Sequence, residues 1–254
     1  MALIVTGHQR SGTTLLARLF DAHPEVRITG EFGNFLEVGA PRGRYVRRQL
    51  KRWGGIVVRG WRRNVMIQSH RFVLEYLKRI VGAGADGVTV EVIEGALHEL
   101  LPGAKVVGDK YPEYIWSLDD LVANSGLSTL VIYRDCRDVT SSTLVRARTD
   151  WRRMPLFVRK LNTAEKVARR WVRAIELMEA HRDKIFMLRY EELVTNPSEQ
   201  MGRIAEWLGI DRHGFDVQHI SDRSIGKYRR GLTQAEIDAV MEIAGPTMAR
   251  IGYL

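Results

Sequence analysis

The chain has 254 residues, of which 45% are hydrophobic and 27% charged, with a formal net charge of +9 and a single cysteine, Cys136. Such a length and composition suit one α/β domain, taken as 1–254, and the positive charge suits an anionic ligand: a nucleotide, an acidic acceptor, nucleic acid or a membrane surface. One cysteine excludes an intrachain disulfide and a cysteine-based metal site, no apolar run reaches the roughly 20 residues that span a bilayer, and no secretory signal opens the chain, so a cytoplasmic setting is expected.

Residues 3–6 read as a buried strand. The stretch Gly7-His8-Gln9-Arg10-Ser11-Gly12-Thr13-Thr14 follows it, and then an apolar helix over 13–22 that Pro24 stops. A second strand covers 26–29 and leads through Gly30 to Glu31. The segment 41–63 is strongly basic, with Arg42, Arg44, Arg47, Arg48, Lys51, Arg52, Arg59, Arg62 and Arg63. It reads as an insertion, either a solvated helix and loop or a docking surface for an acidic acceptor. Helices are expected over 68–81 and 92–101, with Gly54-Gly55 and 82–87 as loops. A strand over 105–107 precedes Asp109-Lys110, and one over 130–133 precedes Arg134 and Asp135. There a helix begins, with Asp138 as its cap and Ser142 one turn later on the same face. A basic helix over 163–182, a strand over 185–188 ending before Tyr190 and Glu191, and a helix over 198–208 follow. The last helix, 233–251, opens with Thr233 and Glu236 spaced as a capping box. Five short strands separated by helices predict a P-loop-like three-layer α/β fold, its central and mostly parallel sheet flanked by helices.

The loop at 7–14 has the G-x-x-x-x-G frame of a phosphate cradle, in which glycines admit the anion and backbone amides at a helix N-terminus hold it. The lysine that reaches the β- and γ-phosphates in P-loop NTPases is replaced by Thr13, and Arg10 places a cation inside the loop instead. In open parallel sheets ligands bind beyond the carboxyl ends of the strands. Those ends here carry Arg10, Glu31, Lys110 and Arg134, one carboxylate and three cations, which suits a polyanion together with a proton to be removed. Arg134 and Ser142 form a reasonable pair for a second phosphate.

Arg10-Ser11-Gly12-Thr13-Thr14 resembles the 5′-phosphosulfate loop of sulfotransferases that use 3′-phosphoadenylyl sulfate (PAPS), and Tyr133-Arg134-Asp135 with Ser142 resembles their 3′-phosphate motif. Arg189-Tyr190-Glu191-Glu192-Leu193-Val194 and Ser224-Ile225-Gly226-Lys227-Tyr228-Arg229-Arg230 are similar to later segments of that family, the second of them to a loop that closes over the nucleotide. Asp21-Ala22-His23-Pro24-Glu25-Val26 and Glu31 are most similar to the tyrosylprotein sulfotransferases and their bacterial relatives. The resemblance implies Glu31 as base, with Arg10 and Lys110 stabilising the transferring group. It implies Ser11, Gly12, Thr13 and Thr14 at the 5′-phosphate, and Arg134, Ser142 and a cation such as Lys227 or Arg229 at the 3′-phosphate. Tyr190 would contact the nucleotide, PAP would be the product, and no metal would be required. Gly108-Asp109-Lys110-Tyr111-Pro112 departs from the family's Asn-Lys-Asp-Pro order. The resemblance implies a hydroxyl acceptor, tyrosyl, carbohydrate or small molecule, with 35–103 as the acceptor-specific region, and no nucleic-acid partner is expected. A P-loop kinase or NTPase, and a non-catalytic basic binding module, are the other readings.

Overall fold

The computed structural model describes residues 1–58, 70–84 and 87–254. Five apolar runs become the strands β1 (Ala2–Thr6), β2 (Val26–Gly30), β3 (Val106–Lys110), β4 (Leu127–Tyr133) and β5 (Phe186–Arg189). They form one sheet in the order β2-β3-β1-β4-β5, with every neighbouring pair parallel. All carboxyl ends therefore lie along one edge, and that edge carries the residues discussed below.

The strands are apolar on both faces because both faces are covered. Leu3, Val5, Leu130 and Ile132 point to one side, where they pack on the helices α1 (Thr13–Ala22) and α10 (Pro197–Leu208). Their neighbours in sequence, Ala2 and Ile4, point to the other side, into a core shared with α3 (His70–Gly82) and α4 (Val90–Leu100). Val131 of β4 enters a third core, with α6 (Cys136–Arg148), α8 (Ala164–Ala180) and α12 (Gln234–Arg250). The expected three layers are present. Helix α2 spans Arg42–Val58, and the short helices are α5 (Leu118–Leu121), α7 (Pro155–Val158), α9 (Tyr190–Thr195) and α11 (Tyr228–Gly231). Thr233 and Glu236 complete the predicted capping box.

Four expectations are corrected or bounded. The strand read as 105–107 continues through Gly108, Asp109 and Lys110, because it is sandwiched between β1 and β2 and its polar residues find buried partners. Gly54 and Gly55 lie inside α2 and not in a loop. Glycine costs a helix interior about 1 kcal/mol, and here tertiary anchors outweigh it: Tyr45 Oη donates to Asn34 O (2.8 Å) and Arg52 donates to Gly33 O (2.9 Å). The cap of α6 is Asp135, which accepts from Arg137 N, whereas Asp138 faces a different loop. Arg59, Arg62, Arg63, the start of the helix expected at 68 and residues 85–86 lie outside the described residues. Among the described residues, no helix is long and apolar enough to cross a membrane.

Candidate active site

The loop after β1 is built to hold an anion. Gly7 (φ 146°) and Gly12 (φ 107°) adopt conformations that side chains avoid, and so does Arg10 (φ 72°). A Cβ on Gly12 would stand 2.5 Å from the Tyr190 ring. Helix α1 starts at Gly12 with no side-chain cap and no acidic residue in its first turn, so its N-terminal dipole is left for a ligand. Ser11 Oγ is buried with no hydrogen-bond partner among the described residues. Thr13 is buried and Thr14 exposed. Arg10 Nε donates to Ser142 Oγ at 2.9 Å, which brings together two residues 132 positions apart. Burial, with Arg146 and Arg134 nearby, pulls the Arg10 guanidinium down to about 10, so it sits in a field where another anion is welcome.

Glu31 and Lys110 meet across the sheet edge. Gly30 of β2 is in register with Lys110 of β3, and Glu31 N donates to Lys110 O at 2.7 Å. Lys110 Nζ donates to Glu31 Oε1, also at 2.7 Å, with side-chain exposures of 4% and 12%. Glu31 is the second non-glycine residue with positive φ (55°) among the described residues. Such strain costs on the order of 1–3 kcal/mol and persists only where the surroundings over-determine it. Asp109 supplies that constraint. Its buried carboxylate accepts from Phe32 N (3.2 Å), Gly33 N (2.7 Å), Thr29 Oγ1 (2.8 Å) and Tyr114 Oη (2.8 Å), and so clamps the turn that presents Glu31. Burial raises the Asp109 carboxyl and these hydrogen bonds oppose the rise.

Arg134 leaves β4 beside the loop. It donates to Arg10 O (3.4 Å) and to Ser224 O, lies 3.5 Å from Asp138, and stacks 4.4 Å from the Tyr190 ring centre. Its Nε is buried without a hydrogen-bond partner among the described residues. Asp138 accepts from Gly226 N (2.8 Å) and Tyr228 N (2.9 Å), fastening the 224–228 loop onto α6. Tyr190 is 6% exposed and walls the loop from below. Lys227 and Arg229 are exposed; Arg229 stacks over Tyr228 at 5.1 Å, and neither side chain lines the cavity.

That cavity, about 260 Å³, opens beside the loop and is bounded by Arg10, Thr13, Thr14 and Glu31. Arg52 of the basic segment is another wall, and further walls were not singled out from sequence: Gln9, Tyr111, Glu113, Trp151 and Phe157 among them. Tyr111 and Glu113 were within reach of the strand-end rule once β3 is seen to end at Lys110. Among the described residues of the basic segment, Arg52 lines the cavity; Arg48 pairs with Glu37 at the surface, and Arg52 lies 3.6 Å from the same carboxylate. Trp151 and Phe157 arrive from the turns after α6, with no local signal. Trp53 packs edge-on to His70, and Trp116 lies beneath Arg170. Among the described residues, no group of three or more His, Cys, Asp or Glu is placed to hold a metal ion.

His8 lies under the loop, fully enclosed, and burial lowers its imidazole from 6.5 to about 4, with Arg170 adding to the effect. The unfolded chain binds this proton below pH 6.5 and the folded chain refuses it until about pH 4. Stability is therefore lost as pH falls through that window, by about 3 kcal/mol in total. Urea unfolding of the parent and of His8→Leu at pH 7 and pH 4.5 is expected to show the parent losing more stability than the variant. Parallel losses would remove His8 as the cause.

Residues 2–214 match the model of the Sulfotransferase family. Protein-tyrosine sulfotransferase A of Caenorhabditis elegans is 27% identical over 288 aligned residues, covering 99% of this chain and 67% of that protein. Protein-tyrosine sulfotransferase 2 of Gallus gallus is 29% identical over 233 residues, covering 89% of this chain and 55% of that protein. The chain thus spans between about half and two thirds of the length of these relatives. Among solved structures, the sulfotransferase domain from the curacin biosynthetic pathway superposes with a TM-score of 0.62 at 14% identity, over 97% of this chain and 96% of that one. The sulfotransferase domain of the Synechococcus PCC 7002 olefin synthase gives 0.60 at 19% identity, over 96% and 94%. These two likenesses are likenesses of fold.

Proposed function

The chain belongs to the sulfotransferase family of enzymes, and from that premise we propose that it moves the sulfuryl group of PAPS onto a hydroxyl acceptor, with Glu31 as base. The observation that carries this reading is the 2.7 Å Glu31–Lys110 pair, with Glu31 facing the same cavity as Arg10. In this reaction the acceptor oxygen attacks sulfur, the S–O bond to the 5′-phosphate breaks in line, and the acceptor proton passes to a Glu31 oxygen. Negative charge grows on the departing phosphate oxygen. Arg10, at the cavity, and Lys110, paired with Glu31, are the cations that would stabilise it.

The residues present fit the donor. The unpaired Ser11 Oγ and the uncapped α1 amides suit a 5′-phosphate, and the unpaired Arg134 Nε suits a phosphate at 3′. Lys227 and Arg229 would join from the 224–230 loop. The names of the two animal relatives make a tyrosyl hydroxyl the first acceptor to try, and the aromatic walls Tyr111, Trp151 and Phe157 are compatible with it.

Thermal unfolding with PAP, with ATP and Mg²⁺, and with an oligonucleotide tests the reading. PAP at 100 times its Kd contributes about 2.7 kcal/mol, worth on the order of 5–10 °C in a chain of this size. That shift is expected with PAP and is expected to vanish in Arg134→Ala. A shift with ATP and Mg²⁺ but not PAP would favour a P-loop kinase or NTPase. Salt-sensitive oligonucleotide binding without a PAP effect would favour a binding module.

A further inference from the structure

The cavity contains a second carboxylate that sulfuryl transfer leaves without a task. Glu113 lies three residues past Lys110, in the short helical turn Pro112–Ser117, and shares the cavity wall with Glu31. Its Oε1 accepts from the side-chain amide of Gln9, the residue before Arg10. The carboxylate is thus tied to the anion loop and held at the cavity wall. Burial raises its carboxyl, while Arg170 and Lys160 favour its charged form. The same cavity is lined by the aromatic side chains of Tyr111, Trp151 and Phe157.

A carboxylate with one oxygen bound by Gln9, in a cavity that also has aromatic walls, discriminates between ligands. A ligand that covers it without offering a partner leaves it desolvated, and a ligand that supplies a donor does not. The base, the cations and the anion loop are already accounted for by Glu31, Arg10, Lys110 and residues 11–14. Given the reading of Glu31 and the donor above, on which this inference rests, we propose that Glu113 selects the acceptor: it receives an O–H or N–H carried by the acceptor at a point remote from the hydroxyl that Glu31 deprotonates. The preferred acceptors are then aromatic alcohols with a second hydrogen-bond donor, and not wholly apolar phenols.

Three probes of similar size separate the possibilities: tyramine with an ammonium, 4-(2-hydroxyethyl)phenol with a second hydroxyl, and 4-ethylphenol with neither. Calorimetry would measure their binding to the full chain with and without PAP, and sulfation would be followed with PAPS. The parent is expected to bind the first two at least tenfold more tightly than 4-ethylphenol. Glu113→Gln should lose the ammonium advantage and keep part of the hydroxyl advantage, because an amide oxygen still accepts; Glu113→Leu should lose both. The losses should fall on KM, with PAP affinity retained as the sign of an intact fold. Equal binding of the three probes by the parent, or an unchanged ranking in both variants, would overturn the proposal. So would a loss confined to kcat in Glu113→Gln, which would make Glu113 a proton acceptor in its own right. Absence of PAP binding would instead count against the sulfotransfer reading, and the probe ranking without PAP would still decide the role of Glu113.

Discussion

Replacing Glu31 with glutamine is expected to lower kcat by about 10²–10⁴-fold, the range that positioned proton transfer contributes, while PAP binding stays close to that of the parent. Glutamine keeps the size of the side chain and an oxygen for Lys110, but it cannot take the acceptor proton. Lys110 is 4% exposed and loses its counter-charge in the variant. Breaking a buried ion pair by removing one partner costs about 3–5 kcal/mol, so the variant should also melt earlier. Turnover must therefore be measured well below its melting temperature, with PAP calorimetry alongside. Unchanged kcat with lost PAP affinity would reject Glu31 as base and make it a binding residue.

Gly7→Ala is expected to be the most damaging single-methyl change in the phosphate loop. Gly7 has φ 146° and a Cβ there would overlap Ile132 O, a backbone atom of β4 that cannot swing aside. Gly39 provides the comparison: φ is 82° but nothing lies within 4 Å of its added Cβ. A left-handed conformation alone costs a side chain roughly 1–2 kcal/mol, so Gly39→Ala should cost about that much. Gly7→Ala adds overpacking worth another ~1–3 kcal/mol. Urea unfolding midpoints of the two variants check the difference. Equal losses would mean that the loop does not press against β4 as described.

Much of this arrangement was legible in the sequence, for physical reasons. The strands are short, apolar and separated by helical periodicity, so β1, β2 and β4 announced themselves, and the strand-end rule then pointed at Arg10, Glu31 and Arg134. The meeting of Glu31 with Lys110 was implicit only in their places at two strand ends; their contact depends on the register of β2 and β3. β3 was read three residues short because Gly108, Asp109 and Lys110 look like a loop. They are a strand because Asp109 and Lys110 each find a partner elsewhere in the fold. The far walls of the cavity were legible only as a basic segment that contains Arg52. Arg52 is one arginine in a run of many, distinguished only by its bond to Gly33 O. Trp151 and Phe157 reach the cavity through turns with no periodic pattern. Asp138 sits at helix-cap spacing, yet it serves the 224–228 loop, and sequence has no means of showing that.

The chain leaves the sheet after Gly30 and re-enters it at Val106, and the carboxyl ends of the two strands are joined where Glu31 meets Lys110 through backbone and side chain. The excursion between the two strands therefore starts at one edge of the sheet and ends at the other. Changes of length in such an excursion weigh little on stability, since doubling a flexible connection adds only about 0.6 kcal/mol of closure entropy. Nor do they shift the Glu31–Lys110 pair, whose spacing is decided by the register of β2 and β3. The loops that join helices α2, α3 and α4 can therefore change length while Glu31 keeps its place beside Lys110. New acceptor preferences can in this way be explored in that stretch of chain without rebuilding the transfer chemistry.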